Sequence, residues 1–142
     1  MSRVLLDTHL LLWWLNDDPR LPDVLVSELQ TDRHTVWISQ ASLWELAIKL
    51  NLGRLHVDLP ALEQLVPKQG FQWLMISNDH LLEVARLEQV DGHRDPFDRL
   101  LVCQSRVEPL LLFTCDQALA AYGSCGGCLA KHPCGCTAGS KA

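Results

Sequence analysis

The sequence predicts an α/β fold in which a short parallel sheet is flanked by helices. Short apolar runs alternate with longer amphipathic segments, and each connection between two runs is long enough to hold a crossover helix. Strands of a parallel sheet are buried on both faces and therefore consist of nearly continuous apolar residues. The runs that fit this description are 3–6, 35–38, 71–76 and 110–113.

The first half of the chain contains two of these strands, each followed by a helix. The first strand ends at Asp7-Thr8, where either side chain can cap the helix that follows. A second helix is predicted over 22–31, starting at a proline and an aspartate. After the second strand, Ser39 is the expected N-cap of a long amphipathic helix over 40–50.

The second half repeats the alternation. A first-turn proline predicts a helix over 60–68, and a capping serine predicts another over 79–87. The helix over 96–107 has the clearest start, because Asp95 can cap it and a proline occupies its first position. The last helix is predicted over 116–122, where a glycine stops it.

Composition restricts the classes of function. With 142 residues, of which 48% are hydrophobic, the chain can form one core but hardly two domains. The first apolar run, 4–15, is too short to span a bilayer and no cleavage site follows it, so we expect a cytoplasmic protein without a membrane segment. The net charge of -5 argues against simple electrostatic binding to nucleic acid, but it suits acids neutralised by cations or a basic partner protein.

Four acids come from separate segments that this topology can bring together. They are Asp7, Glu45, Asp98 and Asp116. Ligands of parallel sheets gather at the carboxyl ends of the strands, and Mg²⁺ prefers oxygen ligands. Each acid also has a structural explanation, as a helix cap, a first-turn acid or the flank of an apolar face. The joint pattern therefore carries the argument.

That joint pattern resembles PIN-domain ribonucleases, in particular VapC-like toxins of toxin–antitoxin pairs. The resemblance covers residues 1 to about 123, in the order of the family. Its motifs are Leu5-Leu6-Asp7-Thr8-His9, Ser42-Leu43-Trp44-Glu45-Leu46-Ala47-Ile48-Lys49, His93-Arg94-Asp95-Pro96-Phe97-Asp98-Arg99-Leu100-Leu101 and Thr114-Cys115-Asp116-Gln117-Ala118-Leu119.

The resemblance implies a three-layer PIN-like nuclease domain over 1–123 that hydrolyses RNA phosphodiester bonds with Mg²⁺ or Mn²⁺. It assigns the catalytic and metal-binding roles to Asp7, Glu45, Asp98 and Asp116. Thr114 would be a supporting hydroxyl and Asp95 a peripheral acid. A cognate antitoxin would block the site. A homodimer is expected by resemblance and because the early helices are unusually apolar.

Basic and aromatic residues near these motifs have two interpretations each. Lys49, Arg94 and Arg99 are candidate phosphate contacts, although each can instead pair with a nearby acid. A metal-activated water needs no histidine, so His9 and His93 are secondary candidates for proton transfer. We expect the five tryptophans to be core or partner-facing residues rather than platforms for base stacking.

The segment 124–142 departs from the family, whose members usually end with a short apolar strand. It is rich in Cys and Gly and is expected to be irregular. Its possible zinc ligands are Cys125, Cys128, Cys134, Cys136 and His132. Three interpretations are open: a zinc site, incidental cysteines in an irregular tail, or an altered gene end. Cys103 and Cys115 are expected to be ordinary buried thiols.

Two rival functions follow from this departure. The protein can be a catalytically silent PIN-fold protein that only binds a partner, because the changed end of the chain spoils the site or its stability. Alternatively, it can be an interaction module that binds zinc through its tail.

Overall fold

Strands alternate with helices through the residues that the structure describes, which are 2–90, 92, 94–120 and 122 of this computed structural model. The strands are β1 (Ser2–Leu6), β2 (His34–Ser39), β3 (Gln72–Leu74) and β4 (Leu111–Phe113). The helices are α1 (Thr8–Leu15), α2 (Asp23–Gln30), α3 (Gln40–Asn51), α4 (Leu59–Lys68), α5 (Asn78–Val84), α6 (Pro96–Val107) and α7 (Gln117–Ala120).

The four strands form one parallel sheet in the order β3-β2-β1-β4. Leu5 of β1 stands opposite Trp37 of β2 on one side and Leu112 of β4 on the other. Since all strands run the same way, their carboxyl ends lie at one edge of the sheet. Asp7, directly after the central strand β1, therefore lies between the ends of β2 and β4.

The core has two parts, one on each face of the sheet. Val4 and Leu6 pack on one face, with residues of α1, α2 and α4. Leu5 packs on the opposite face, where α5 and α6 contribute. This alternation is the period-two pattern of a strand buried on both sides. The predicted three-layer α/β fold is therefore confirmed.

Short polar side chains start the helices that bring the candidate acids to this edge. Asp7 accepts a 2.9 Å hydrogen bond from the backbone N–H of Leu10 and so caps α1. Ser39 caps α3 through the N–H of Ala41, at 2.9 Å. Asp95 caps α6. All three caps agree with the sequence predictions, and each removes an unpaired donor from a helix end.

Some elements are shorter than predicted. β3 spans Gln72–Leu74 instead of 71–76, because it pairs only with β2, and β2 ends at Ser39 where α3 begins. α5 ends at Val84, three residues before the predicted end, because residues 85–87 continue as tight turns bonded three residues back. α7 covers only Gln117–Ala120.

Two further expectations concern regions beside the core. Cys103 is buried and its thiol is free, and burial raises its pKa to about 11. The expectation of an ordinary thiol is wrong for Cys115, which is partly buried and disulfide-bonded. The tail 124–142 lies outside the described residues. Among the described helices, none is both long and apolar enough to cross a membrane.

Candidate active site

Asp7 is one of the two most enclosed acids of the site, with only 4% of its surface exposed. Its Oδ2 accepts a hydrogen bond from the buried hydroxyl of Thr114, which follows β4. The same hydroxyl oxygen accepts a 2.9 Å hydrogen bond from the backbone N–H of Asp116. Thr114 therefore connects the ends of β1 and β4 and sets the position of both aspartates.

Burial also changes the acidity of Asp7. Desolvation raises the pKa of its carboxyl group, because the charged form loses water. The hydrogen bonds from Thr114 and from the N–H of Leu10 act in the opposite direction, and the negative charge of Asp116 adds to the increase. A cation at this position would relieve the cost of keeping the buried carboxylate charged.

Glu45 lies on α3 and is also only 4% exposed. Its Oε2 forms a 2.9 Å ion pair with Nζ of Lys49, one turn further along the helix. Its Oε1 is buried and has no hydrogen-bond partner among the residues that the structure describes. A buried carboxylate oxygen without a donor is costly, because it has lost its water without a replacement. This oxygen is suited to bind a cation.

A buried hydroxyl pair fixes α3 against the segment that carries Asp7. The Thr8 hydroxyl donates a 2.7 Å hydrogen bond to the hydroxyl oxygen of Ser42. Ser42 lies three residues before Glu45, on nearly the same face of the helix. Sequence reasoning did not assign this contact, because it joins two segments that are 34 residues apart in the chain.

Asp98 lies in the first turn of α6 and is partly buried. Its pKa is raised to about 8, mainly by burial and then by the negative charges of the other acids. These acids are Asp95, Asp116, Asp7 and Glu45, in decreasing order of effect. The four predicted site residues therefore share one region of strong negative potential. Acid clusters that contain carboxyl groups with raised pKa values, as Asp7 and Asp98 have here, are typical of functional sites.

Asp116 completes the cluster from the more open side. It is exposed, and its Oδ1 accepts a 2.9 Å hydrogen bond from the N–H of Ala118. Within the described part of the chain, no three His, Cys, Asp or Glu side chains form a ready-made group that could hold a metal ion. Mg²⁺ usually keeps several waters and needs only one or two direct carboxylates. The all-oxygen donor set and the unsatisfied Glu45 oxygen fit such a hydrated cation.

The remaining predicted residues have different surroundings. Asp95 is exposed, and its Oδ1 accepts hydrogen bonds from the N–H groups of Phe97 and Asp98, as expected of a structural cap. Arg99 donates to the Leu87 and Glu88 carbonyls and to the Tyr122 hydroxyl, so its partners belong to the fold. Arg94 is exposed, whereas His93 lies outside the described residues.

A cavity of about 310 Å³ opens beside Thr8 and contains several basic side chains. His9, Arg20, Lys49 and Arg54 line it. Arg20 is paired with Asp18 at 2.7 Å. No side-chain hydrogen bond or ion pair joins Arg54 to any other residue described. Sequence reasoning missed Arg54, because it lies beyond the motif that contains Glu45, which ends at Lys49, and belongs to no other motif.

Comparison with known families adds one match. A sequence model of the PIN domain matches residues 4–124, from within β1 to beyond α7. The match includes all four acids and Thr114. No curated protein sequence matches the chain.

Proposed function

The chain belongs to the PIN-domain family, whose members are generally nucleases, and we propose that it is an Mg²⁺- or Mn²⁺-dependent endoribonuclease acting as the toxin of a toxin–antitoxin pair. The observation that carries the proposal is the buried Oε1 of Glu45, which has no donor within the described part of the chain although it lies in a cluster of acids at the strand ends. Such an oxygen is expected where a cation binds.

The proposed ligands are Asp7, Glu45, Asp98 and Asp116. A bound Mg²⁺ or Mn²⁺ would supply Lewis acidity for the phosphate and lower the pKa of an attacking water. Thr114 holds Asp7 in one orientation through its hydrogen bond to Oδ2. Lys49 balances the charge of Glu45 on the side of Oε2, so Oε1 stays available.

The basic cavity supports RNA as the substrate. The chain carries a net charge of -5, yet His9, Lys49 and Arg54 line one cavity beside the segment of Asp7. Contacts of basic side chains with phosphates position a nucleic acid without reading its sequence. We therefore propose that the RNA backbone on one side of the acid cluster binds in this cavity. Lys49 and Arg54 would contact its phosphates there, and Arg94 is a further candidate outside the cavity.

A second cavity, of about 500 Å³, supports the antitoxin as a partner. Apolar side chains of α1, α2 and α4 line it, among them Trp14, Val26 and Leu65. Asp17, Asp18 and Asp23 also lie along it. This combination suits an apolar protein segment flanked by basic residues, because such a segment is complementary in both shape and charge. It matches the basic partner expected from the net charge.

Self-association is the other proposed protein contact. Met75, Leu81 and Leu82 are exposed, on α5 and just before it. Large apolar side chains that cluster on a surface often mark protein interfaces. They support a homodimer, which sedimentation or light scattering of the purified protein would test.

The central experiment uses the purified protein, free of antitoxin, with total RNA and with transfer RNA in Mn²⁺ or Mg²⁺. Asp7→Asn and Asp98→Asn are the test variants. Asp32→Asn is a matched control, because Asp32 is exposed and precedes β2 at the opposite edge of the sheet. We expect discrete cleavage by the wild type and by Asp32→Asn, and none by the test variants or with a chelator.

The other outcomes decide between the rivals. No cleavage by a folded wild-type protein would favour the catalytically silent protein that only binds a partner. Cleavage that continues in chelator or in both test variants would refute the carboxylate–metal mechanism. The zinc-binding alternative concerns residues outside the described part of the chain, and zinc analysis of the protein with and without 124–142 tests it.

A further inference from the structure

Two aromatic side chains meet at the border of the acid cluster. The rings of Trp44 on α3 and Phe97 on α6 are 5.0 Å apart between centroids and inclined at 82°, an edge-to-face contact. Trp44 is 56% exposed, and Phe97 is partly exposed. Each ring directly precedes a candidate metal ligand, Glu45 or Asp98. The pair therefore connects the two helices that supply these acids.

The position of Trp44 on α3 relates it to the basic cavity. Successive residues of a helix are about 100° apart around its axis, so Glu45 lies between Trp44 and Lys49 on the circumference. Lys49 lines the cavity beside Thr8. A strand that runs from this cavity across Glu45 would therefore reach the Trp44 ring next.

The exposed ring needs an explanation, because a large aromatic side chain in contact with solvent does not contribute the favourable free energy of its burial. Ile48 and Leu52 follow Trp44 at helical spacing, with 38% and 57% exposure, so a protein partner could cover this stripe. However, of these three residues only Trp44 directly precedes a candidate ligand and has an aromatic neighbour that orients its ring. A flat, oriented and accessible ring suits a nucleobase.

We propose that Trp44, oriented by Phe97, is a stacking platform for an unpaired base of the RNA next to the bond that is cut. This inference rests on the proposed ribonuclease function and deepens it. Bases inside a duplex already stack on both faces, so the platform selects RNA that is single-stranded at the cleavage site, as in a loop. It differs from the sequence expectation, which placed the tryptophans in the core or against partners.

The test compares binding of single-stranded and duplex RNA of the same sequence. The Asp7→Asn protein is titrated into a dye-labelled single-stranded RNA of about 12 nucleotides. This variant serves as the background because it is expected not to cleave the RNA. Trp44→Ala, Trp44→Phe and Leu52→Ala are added to this background. Leu52→Ala is the matched control, because Leu52 is equally exposed but caps the C-terminal end of α3, about two turns away from Trp44. Circular dichroism confirms that each variant folds.

We expect Trp44→Ala to weaken single-strand binding by about 5- to 150-fold, which is the range for loss of one stacked base. Trp44→Phe keeps an aromatic face and should retain most of the affinity. Leu52→Ala should match the background, and duplex binding should be unaffected in all variants. Bound single-stranded RNA should also quench tryptophan fluorescence less in Trp44→Phe than in the protein with Trp44.

Two outcomes would overturn the inference and leave the nuclease proposal intact. In the first, the wild-type protein cleaves RNA and the single variant Trp44→Ala, without Asp7→Asn, cleaves it with an unchanged KM. In the second, Trp44→Ala changes the mass of the protein in solution but not its affinity for RNA. That result would assign the exposed residues Trp44, Ile48 and Leu52 to a protein interface. Absence of both cleavage and RNA binding in the wild type would overturn both proposals. Trp44-dependent binding without cleavage would support the platform and refute the enzyme.

Discussion

The hydroxyl of Thr114 donates a hydrogen bond to Oδ2 of Asp7, a residue 107 positions earlier in the chain. Because the hydroxyl oxygen also accepts the N–H of Asp116, one small side chain orients acids from two strand ends. Both Thr114 and Asp7 are buried, so water cannot replace this contact easily. Partners that orient a ligand without touching the metal commonly affect metal affinity as well as rate.

Thr114→Val should reduce RNA cleavage and Mn²⁺ affinity by about 10- to 100-fold, because the side chain keeps its size but loses its donor. Thr114→Ser retains a hydroxyl and should keep most of the activity. Initial cleavage rates over a Mn²⁺ titration would measure both effects. Full activity in a folded Thr114→Val protein would show that the hydrogen bond has no role in the site.

Lys49→Met should destabilise the protein in chelator by about 1–2 kcal/mol, because the nearly buried carboxylate of Glu45 loses its counter-charge. The value lies below that for fully buried pairs, since 39% of the Lys49 side chain is exposed. Mn²⁺ should restore part of the loss. Urea unfolding with and without Mn²⁺ measures the difference, and Lys68→Met is the control on exposed surface. Equal loss in both variants would contradict the prediction.

Glu88 and Arg106 predict a specific dependence of stability on pH. Two hydrogen bonds from the Arg106 guanidinium, of 2.9 and 3.0 Å, hold the pKa of Glu88 at about 2, below its ordinary value of 4.5. A depressed carboxyl pKa contributes stability above the unfolded-state value, and this stability is lost as pH falls through the folded-state value.

Glu88→Gln should therefore lower the free energy of unfolding near neutral pH by at most about 1 kcal/mol, since about half of the Glu88 side chain faces solvent. The difference from the wild type should shrink between about pH 4.5 and pH 2. Chemical unfolding at a series of pH values checks it. A difference that grows on acidification would show that another group dominates.

Gln104, a residue of α6, is the centre of a buried polar network. Its Oε1 accepts a 2.5 Å hydrogen bond from the Ser39 hydroxyl, and its Nε2 lies 3.2 Å from Nδ1 of His80. Gln104→Leu should cost about 1–3 kcal/mol of unfolding free energy, because polar groups lose partners in the interior. Urea titration beside Gln72→Leu, on exposed surface, measures it. Equal stability of the two variants would rule this out.

The sequence predicted those parts of the fold that depend on neighbouring residues. The caps at Asp7, Ser39 and Asp95 follow from local side-chain chemistry, and their contacts are confirmed. The length of β3 was overestimated, because it depends on where β2 ends and not on the residues of β3. The residues of one strand do not show where its neighbouring strand ends, so they cannot predict the paired length.

The candidate site was predictable as a set of residues but not as an arrangement. The acids could be named because they follow strands or begin helices within recognisable motifs. The Thr8–Ser42 hydrogen bond and the partners of Arg99 join segments that only the folded chain brings together. For Trp44 the sequence left open a core or a partner-facing position, and only the folded chain shows that its ring is exposed.

The strand order has a consequence for the protein during its own synthesis. Of the strands in the described residues, β1 is made first, but its neighbour β4 is made last. A nascent chain can pair β1 with β2 early, yet it lacks Thr114 and Asp116 until translation has passed β4. The acid cluster is therefore incomplete in any nascent chain that has not been extended past Asp116, even though β1 and β2 can already pair in it.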